Sequence, residues 1–102
     1  MSILVRYNPP GLTREAYDKV NAILTEQQDP NAPSALELHV LFGEDGNLRI
    51  SEIWSSEEAW RDAFENAIKP AVASVGGDTG PEPEILPVQV VWDPSKATAP
   101  QA

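Results

Sequence analysis

The dipeptide Asp45-Gly46 is the feature that most constrains how this chain can fold, because it separates two apolar runs. Residues 36–42 precede it and residues 48–54 follow it, and both runs have the aliphatic and aromatic composition of β-strands. An Asp-Gly pair favours a type I′ turn, since both central residues of that turn need positive φ. The sequence therefore predicts an antiparallel hairpin in the middle of the chain.

The turn also predicts which residues face each other across the hairpin. With Asp45 and Gly46 at its centre, His39 lies opposite Glu52, and Glu37 lies opposite Trp54. Directly opposed residues share a sheet face, with Cβ atoms about 5 Å apart. A one-residue bulge would break this register. The predicted face carries Glu37, His39, Leu41, Ile50, Glu52 and Trp54.

Two helices are predicted on either side of the hairpin. Thr13 is a candidate N-cap for a helix that ends near residue 27 or 28, before the Pro-containing residues 29–33. Ser55 and Glu58 fit a capping box for a second helix, and apolar residues recur at helical spacing from there to Val75. Pro70 falls inside this pattern and is expected to kink the helix or split off its last turn.

Strand-like runs at residues 3–7 and 85–92 complete the order β-α-β-β-α-β. This order predicts an α+β, ferredoxin-like fold, with an antiparallel sheet in the order 4-1-3-2 and both helices on one face. Pro87 suits the edge position of the last strand. We expect one domain over residues 1–93 and a flexible C-terminal tail over residues 94–102.

The strands are apolar on both faces, although helices are predicted to cover only one. A sheet with one solvated face normally alternates apolar and polar residues. A second copy of the chain would cover the open face, so the sequence predicts a homodimer.

Charge and composition narrow the classes of function. The 102 residues carry a formal net charge of -9, and the seven Lys and Arg residues are scattered. A nucleic-acid or anionic-membrane binder would normally show a basic patch. The sequence has no apolar run of membrane-spanning length and no cysteine, which leaves no thiolate chemistry. We expect a cytoplasmic protein that binds neither nucleic acid nor membrane.

Several short segments resemble the dimeric α/β-barrel superfamily, and within it the small proteins similar to antibiotic biosynthesis monooxygenases. These segments are ILVRY at 3–7, PGLT at 10–13, HV at 39–40, the Gly46 turn, LRI at 48–50, EIWSSEEAW at 52–60, PA at 70–71 and ILPV at 85–88. The resemblance covers residues 2–92. It is specific for the fold and weak for function.

The resemblance implies a dimer in which two sheets face each other, with small-molecule pockets between each sheet and its helices. Similar proteins include cofactor-free oxygenases, haem-degrading enzymes and polyketide cyclases. No signature in this chain selects one of those chemistries.

The single histidine, His39, and Glu52 are the candidate catalytic residues. A carboxylate opposite an imidazole fixes its tautomer, which suits a general base or acid. The alternative is a partly exposed cross-strand ion pair. Tyr7 could also place a hydroxyl in a pocket. The candidate substrate-binding residues are Trp54, Trp60, Phe64, Tyr17 and Glu37, and the aromatic ones could instead be core.

These residues lead to two hypotheses of different class. The first is a cofactor-independent enzyme, monooxygenase-like or cyclase-like, that acts on a small aromatic or polyketide-like molecule through His39 and Glu52. The second is a non-catalytic homodimeric module that binds a small ligand or a protein partner. No metal or cofactor is required by either, and a site made from His39, Glu37 and Glu52 has little support in the spacing.

Overall fold

The structure, a computed structural model, describes residues 1–28 and 34–92. The strands are β1 (Ile3–Tyr7), β2 (Leu36–Phe42), β3 (Arg49–Trp54) and β4 (Glu84–Pro87). The helical segments are α1 (Arg14–Gln27), α2 (Glu57–Ala63), a π-helical segment (Phe64–Ile68) and α3 (Lys69–Ser74). Residues 29–33 lie outside the described part of the chain, as do residue 93, the predicted end of the domain, and the whole predicted tail, residues 94–102.

The four strands form one antiparallel sheet in the order β2-β3-β1-β4. The predicted strand order and the α+β, ferredoxin-like fold are therefore confirmed. Within the described residues, no helix combines the length and the apolar character needed to cross a bilayer.

The hairpin register is confirmed from His39 to the turn, and it is wrong at the start of β2. His39 pairs with Glu52 and Leu41 with Ile50, as predicted. A bulge between Leu36 and Leu38 brings Leu36, not Glu37, opposite Trp54. The extra residue leaves Glu37 outside the ladder, where its exposed carboxylate accepts a hydrogen bond from Ser2 Oγ at 2.6 Å.

Alternation along β1 places the core on the helix-covered face of the sheet. Ile3, Val5 and Tyr7 are buried there, and the exposed Arg6 points the other way. Trp60 and Phe64 pack on this face with their rings stacked, 5.0 Å between centroids. The core is therefore concentrated beneath α2 and the π-helical segment.

The start of the second helical stretch differs from the prediction by one residue. Ser56, not Ser55, is the N-cap, and its side chain accepts a hydrogen bond from Ala59 N at 3.1 Å. The Ser55 N–H instead donates to Ala35 O at 2.9 Å. This bond ties Ser55 to the segment before β2, and Ser56, whose backbone is extended, takes the cap position. Thr13 caps α1 as predicted.

Pro70 is accommodated by a π-helical turn, with no break in the helical stretch. The Lys69 N–H donates to Phe64 O, which is the i→i−5 bond of a π-helix. Pro70 then lies in the first turn of α3, directly after the π-helical turn, which accommodates a residue that has no N–H to donate. The helical stretch ends at Val75-Gly76-Gly77. Gly76 adopts a positive φ of 74°, and Gly77 N donates to Val72 O at 3.0 Å.

The last strand is shorter than the predicted 85–92. β4 ends at Pro87, and one further bond joins Val88 N to Ser2 O at 3.0 Å. Pro87 itself pairs with Ile3, the first residue of β1. The apolar residues after Val88 have strand-like composition. However, β1, the strand with which they would pair, begins at Ile3 and offers them no partner.

The corrected cap gives a direct test by paired substitutions. We expect Ser56→Ala to lower the free energy of unfolding by about 1 kcal/mol, because an N-cap side chain is lost. Ser55→Ala is the matched control and should change it by less than about 0.5 kcal/mol. Urea denaturation measures both, and an equal loss in the two variants would contradict the assignment.

Candidate functional site

A cavity of about 220 Å³ lies between the helix-covered face of the sheet, α1 and α3. Its walls are mostly aliphatic, with polar groups at the sheet, on α1 and in the loop at residues 77–79. The lining residues are Tyr7, Pro9, Pro10, Gly11, Leu12, Ala16, Tyr17, Val20, Asn21, Leu24, His39, Ile50, Glu52, Ile68, Val72, Val75, Gly77, Asp78 and Thr79. An apolar volume of about 150 Å³ holds one benzene ring, so this cavity suits a substituted single ring.

The cavity exists because α1 stands away from the core. No residue of α1 is fully buried, and Val20 and Leu24 face the cavity half-buried. The hairpin holds the start of this helix: the Asp45 carboxylate accepts from Arg14 N at 2.8 Å, and Leu48 N donates to Leu12 O at 3.1 Å. The helix is thus anchored at its start, and its half-buried apolar side lines the cavity.

His39 and Glu52 meet at the sheet wall of the cavity, as the register predicts. His39 Nδ1 lies 2.6 Å from Glu52 Oε2. The Glu52 side chain is 7% exposed and the His39 side chain is 32% exposed. The pair is therefore partly exposed: its carboxylate is inside the protein and its imidazole reaches the surface.

Glu52 is held from a second direction by the aromatic core. Trp54 Nε1 donates to Glu52 Oε1 at 3.0 Å. Trp60 Nε1 donates to the Tyr7 hydroxyl oxygen at 2.6 Å. Because that oxygen already accepts from Trp60, its own hydrogen is available to the Glu52 carboxylate, with which it also interacts. Buried carboxylates are stable only when donors surround them in this way.

The hydrogen-bond pattern assigns a tautomer to His39. An ionised carboxylate only accepts, so Nδ1 carries the hydrogen that faces Glu52. In the neutral ring Nε2 is then an acceptor, and the Tyr17 hydroxyl lies 2.7 Å from it. Tyr17 comes from α1 across the cavity. The result is a line of groups from Glu52 through His39 to Tyr17, ending at the cavity.

The two tyrosine hydroxyls are kept protonated by their surroundings. Burial raises the pKa of Tyr7 well above its ordinary value, and the Glu52 carboxylate adds to the effect. Burial also raises the pKa of Tyr17, again with a contribution from Glu52. Both hydroxyls therefore act as hydrogen-bond donors at neutral pH.

The other predicted site residues lie in different places. Trp54 contacts the site only through Glu52, as a buried donor. Trp60 and Phe64 are in the core, 0% and 2% exposed, and do not line the cavity. Glu37 is at the bulge, away from the cavity. Trp60 and Phe64 thus pack against the sheet, whereas Tyr17 lines the cavity as predicted, together with aliphatic residues of α1 and α3.

Tyr7 is not among the predicted substrate-binding residues, and neither are the loops that close the cavity. A usable signal existed for Tyr7: β1 was predicted beside β3, and alternation with Ile3 and Val5 puts Tyr7 on the Glu52 face. The loops at residues 9–12 and 77–79 carried no such signal. Among the described residues, no group of three or more His, Asp or Glu side chains is placed to hold a metal ion.

Together, the sheet order and the cavity define a ferredoxin-like α+β protein with a small-molecule-sized site between sheet and helices. A crystal structure of a candidate antibiotic biosynthesis monooxygenase from Chloroflexus aurantiacus J-10-fl has this fold. It matches with a TM-score of 0.50 and 17% identity, over 89% of this chain and 95% of that chain. No protein-family model matches the sequence, and neither does any curated protein.

The structural similarity confirms the fold expected from the resemblance. At 17% identity it does not carry an activity from one protein to the other. Function has to be argued from the site.

The raised tyrosine pKa values predict how stability responds to alkali. Each hydroxyl has a higher pKa folded than unfolded, so its stabilising contribution is complete below the unfolded pKa, about 10, and declines at higher pH. Tyr7→Phe should reduce this alkaline loss by up to about 1.4 kcal/mol per pH unit. It should also cost about 1–3 kcal/mol at neutral pH, because Trp60 Nε1 loses its acceptor.

Urea titrations from pH 7 to about pH 11 measure both effects. Tyr17→Phe is the control, and it should change the slope less because its hydroxyl is less buried. The same alkaline slope in Tyr7→Phe and in the unmodified protein would contradict the buried position of this hydroxyl.

Proposed function

We propose that the protein is a cofactor-independent enzyme that removes and returns a proton on a small hydroxylated aromatic molecule. The observation that carries this proposal is the line of hydrogen bonds from buried Glu52 through His39 to the cavity wall. Glu52 orients the imidazole and stabilises the imidazolium that forms when Nε2 takes a proton. Such a dyad placed in an apolar cavity is suited to general acid–base chemistry.

The cavity supports a neutral, largely apolar ligand. Among the described residues that line it, none is Lys or Arg, while Glu52 and Asp78 are acidic. A ligand with a carboxylate or phosphate would therefore enter without a cationic partner, at a high desolvation cost. Its volume favours one substituted ring over an extended polyketide chain.

The shared step is formation of a phenolate or enolate in the cavity. A monooxygenase-like enzyme would let this anion transfer an electron to O₂, and a cyclase-like enzyme would let its carbon attack a carbonyl. The site supplies the deprotonation common to both. We propose a cytoplasmic location, on the basis of composition alone.

A second candidate is a non-catalytic module that binds the same kind of ligand. The observation that favours it is that Tyr17 already occupies the acceptor nitrogen of His39. In that case the line of hydrogen bonds would only recognise a ligand hydroxyl, and no proton would be transferred.

A visible-absorbing phenol separates the two candidates. We expect 4-nitrophenol, buffered below its own pKa, to show the phenolate band when bound to the protein. His39→Ala and Glu52→Gln should remove the band, whereas Glu26→Gln, an exposed carboxylate on α1, should not. On an identified substrate, His39→Ala should lower kcat/KM by about 10²–10⁴-fold.

Glu52→Gln is informative because it keeps the shape and leaves one acceptor oxygen. Either His39 Nδ1 or Trp54 Nε1 then faces an NH₂ group. Nitrogen-15 NMR of the single histidine reads the tautomer without ambiguity. Binding of the phenol without its ionisation would favour the module, and full ionisation in both variants would exclude the proposed base.

We also propose that two copies pair through the open face of the sheet. One row of apolar residues crosses all four strands on that face: Leu38, Ile53, Leu4 and Leu86. Leu38, Leu86 and the neighbouring Val40 are 49%, 39% and 41% exposed in the single chain. A continuous apolar row is self-complementary under two-fold symmetry, as a homodimer requires.

Sedimentation equilibrium tests the dimer. The protein should have twice the chain mass of 11.1 kDa at micromolar concentration. Val40→Glu should shift it to the monomer mass by burying an unpaired charge. Ala73→Glu, on the exposed side of α3, is the matched control and should stay dimeric. A monomeric unmodified protein, or no effect of Val40→Glu, counts against this interface.

A further inference from the structure

We propose that Tyr17 is the group through which His39 exchanges a proton with the bound ligand. This inference rests on the proposed function and adds a residue that would contact the reacting hydroxyl. It assigns Tyr17 a part in proton transfer, beyond lining the pocket.

The geometry places Tyr17 between the imidazole and the cavity. Its hydroxyl is 2.7 Å from His39 Nε2, and the opposite ring nitrogen is 2.6 Å from Glu52. The two rings are tilted by 32° with centroids 5.8 Å apart, so the contact is made at the ring edges. The acceptor direction of Nε2 is thus occupied, and a ligand hydroxyl meets the Tyr17 oxygen first.

The hydrogen-bond directions let this hydroxyl pass a proton on. While His39 is neutral, Tyr17 donates to Nε2, and its oxygen lone pairs accept from a ligand O–H. In the transfer the ligand O–H bond breaks and a new Tyr17 O–H forms. The original Tyr17 O–H breaks and Nε2–H forms. The products are a ligand oxyanion, neutral Tyr17 and an imidazolium beside Glu52.

The products keep both new charges in contact with partners. The imidazolium lies against the Glu52 carboxylate, and the newly formed Tyr17 O–H donates to the oxyanion. The reverse sequence returns the proton. No oxidant, metal or other co-reactant is consumed in the transfer.

The surroundings suit Tyr17 to a relay and not to a standing base. Burial and the Glu52 charge raise the pKa of its hydroxyl. The groups that face it are Asp18 on its own helix, Glu52 and His39 on the sheet, and Arg14, whose guanidinium lies 6.0 Å from the ring centroid. Tyr17 therefore stays protonated while it forwards the proton of a more acidic ligand.

The test compares Tyr17→Phe with the unmodified protein at saturating 4-nitrophenol. The ring is kept, so its packing and the Arg14 contact are preserved. We expect binding to persist while the phenolate band falls several-fold. In the unmodified protein both His39 ring nitrogens should move to protonated shifts as the band appears, and in Tyr17→Phe this movement should shrink in proportion to the band. Lys19→Gln, on the exposed side of α1, is the control and should retain both signals.

The outcomes separate the relay from the function on which it rests. An equal phenolate band in Tyr17→Phe and the unmodified protein overturns the relay and leaves the His39–Glu52 base intact. If Tyr17→Phe does not bind 4-nitrophenol at a concentration that saturates the unmodified protein, Tyr17 is a binding group. That result also overturns the relay. Absence of the band in the unmodified protein rejects the proposed base itself.

Discussion

The buried carboxylate of Glu52 is the group on which both the core and the candidate site depend. A carboxylate taken out of water is costly unless donors replace its hydration. Here they come from β2 through His39, from β3 through Trp54 and from β1 through Tyr7. Satisfying this charge therefore requires three adjacent strands in one register. The same contacts fix the imidazole at the cavity wall.

The helix-covered face of the sheet has two parts, a packed core and the wall of the cavity. Under α2 and the π-helical segment, Trp60 and Phe64 fill the space and exclude solvent. Under α1 the aliphatic side chains of Val20 and Leu24 are left half-buried around a cavity. Apolar surface left unburied in this way is a cost to folding, and a bound ligand would recover it. Stability and occupancy should thus be linked at α1.

The similarity to the Chloroflexus aurantiacus structure and the site answer different questions. A shared ferredoxin-like arrangement explains why a cavity can form between sheet and helices. It does not determine chemistry, because such scaffolds host many unrelated activities. The proposal of acid–base catalysis comes from three side chains, Glu52, His39 and Tyr17, and would stand or fall without the comparison. The two faces of the sheet also differ in what they carry. One face carries the cavity, and the other carries the proposed dimer interface.

The sequence by itself determined the order of elements, the strand order and the opposition of His39 and Glu52, because these follow from local patterns. Strand alternation, the Asp45-Gly46 turn and the Thr13 cap each act within a few residues. Its errors arose where distant segments compete for the same backbone groups. The Ser55 N–H bonds to Ala35, and the helix cap falls on Ser56. The bulge between Leu36 and Leu38 removes Glu37 from the site face. Only the tertiary structure decided that the aromatic residues form core and that Tyr17 meets His39. Those contacts depend on how far α1 stands from the sheet, and no spacing within the chain encodes that distance.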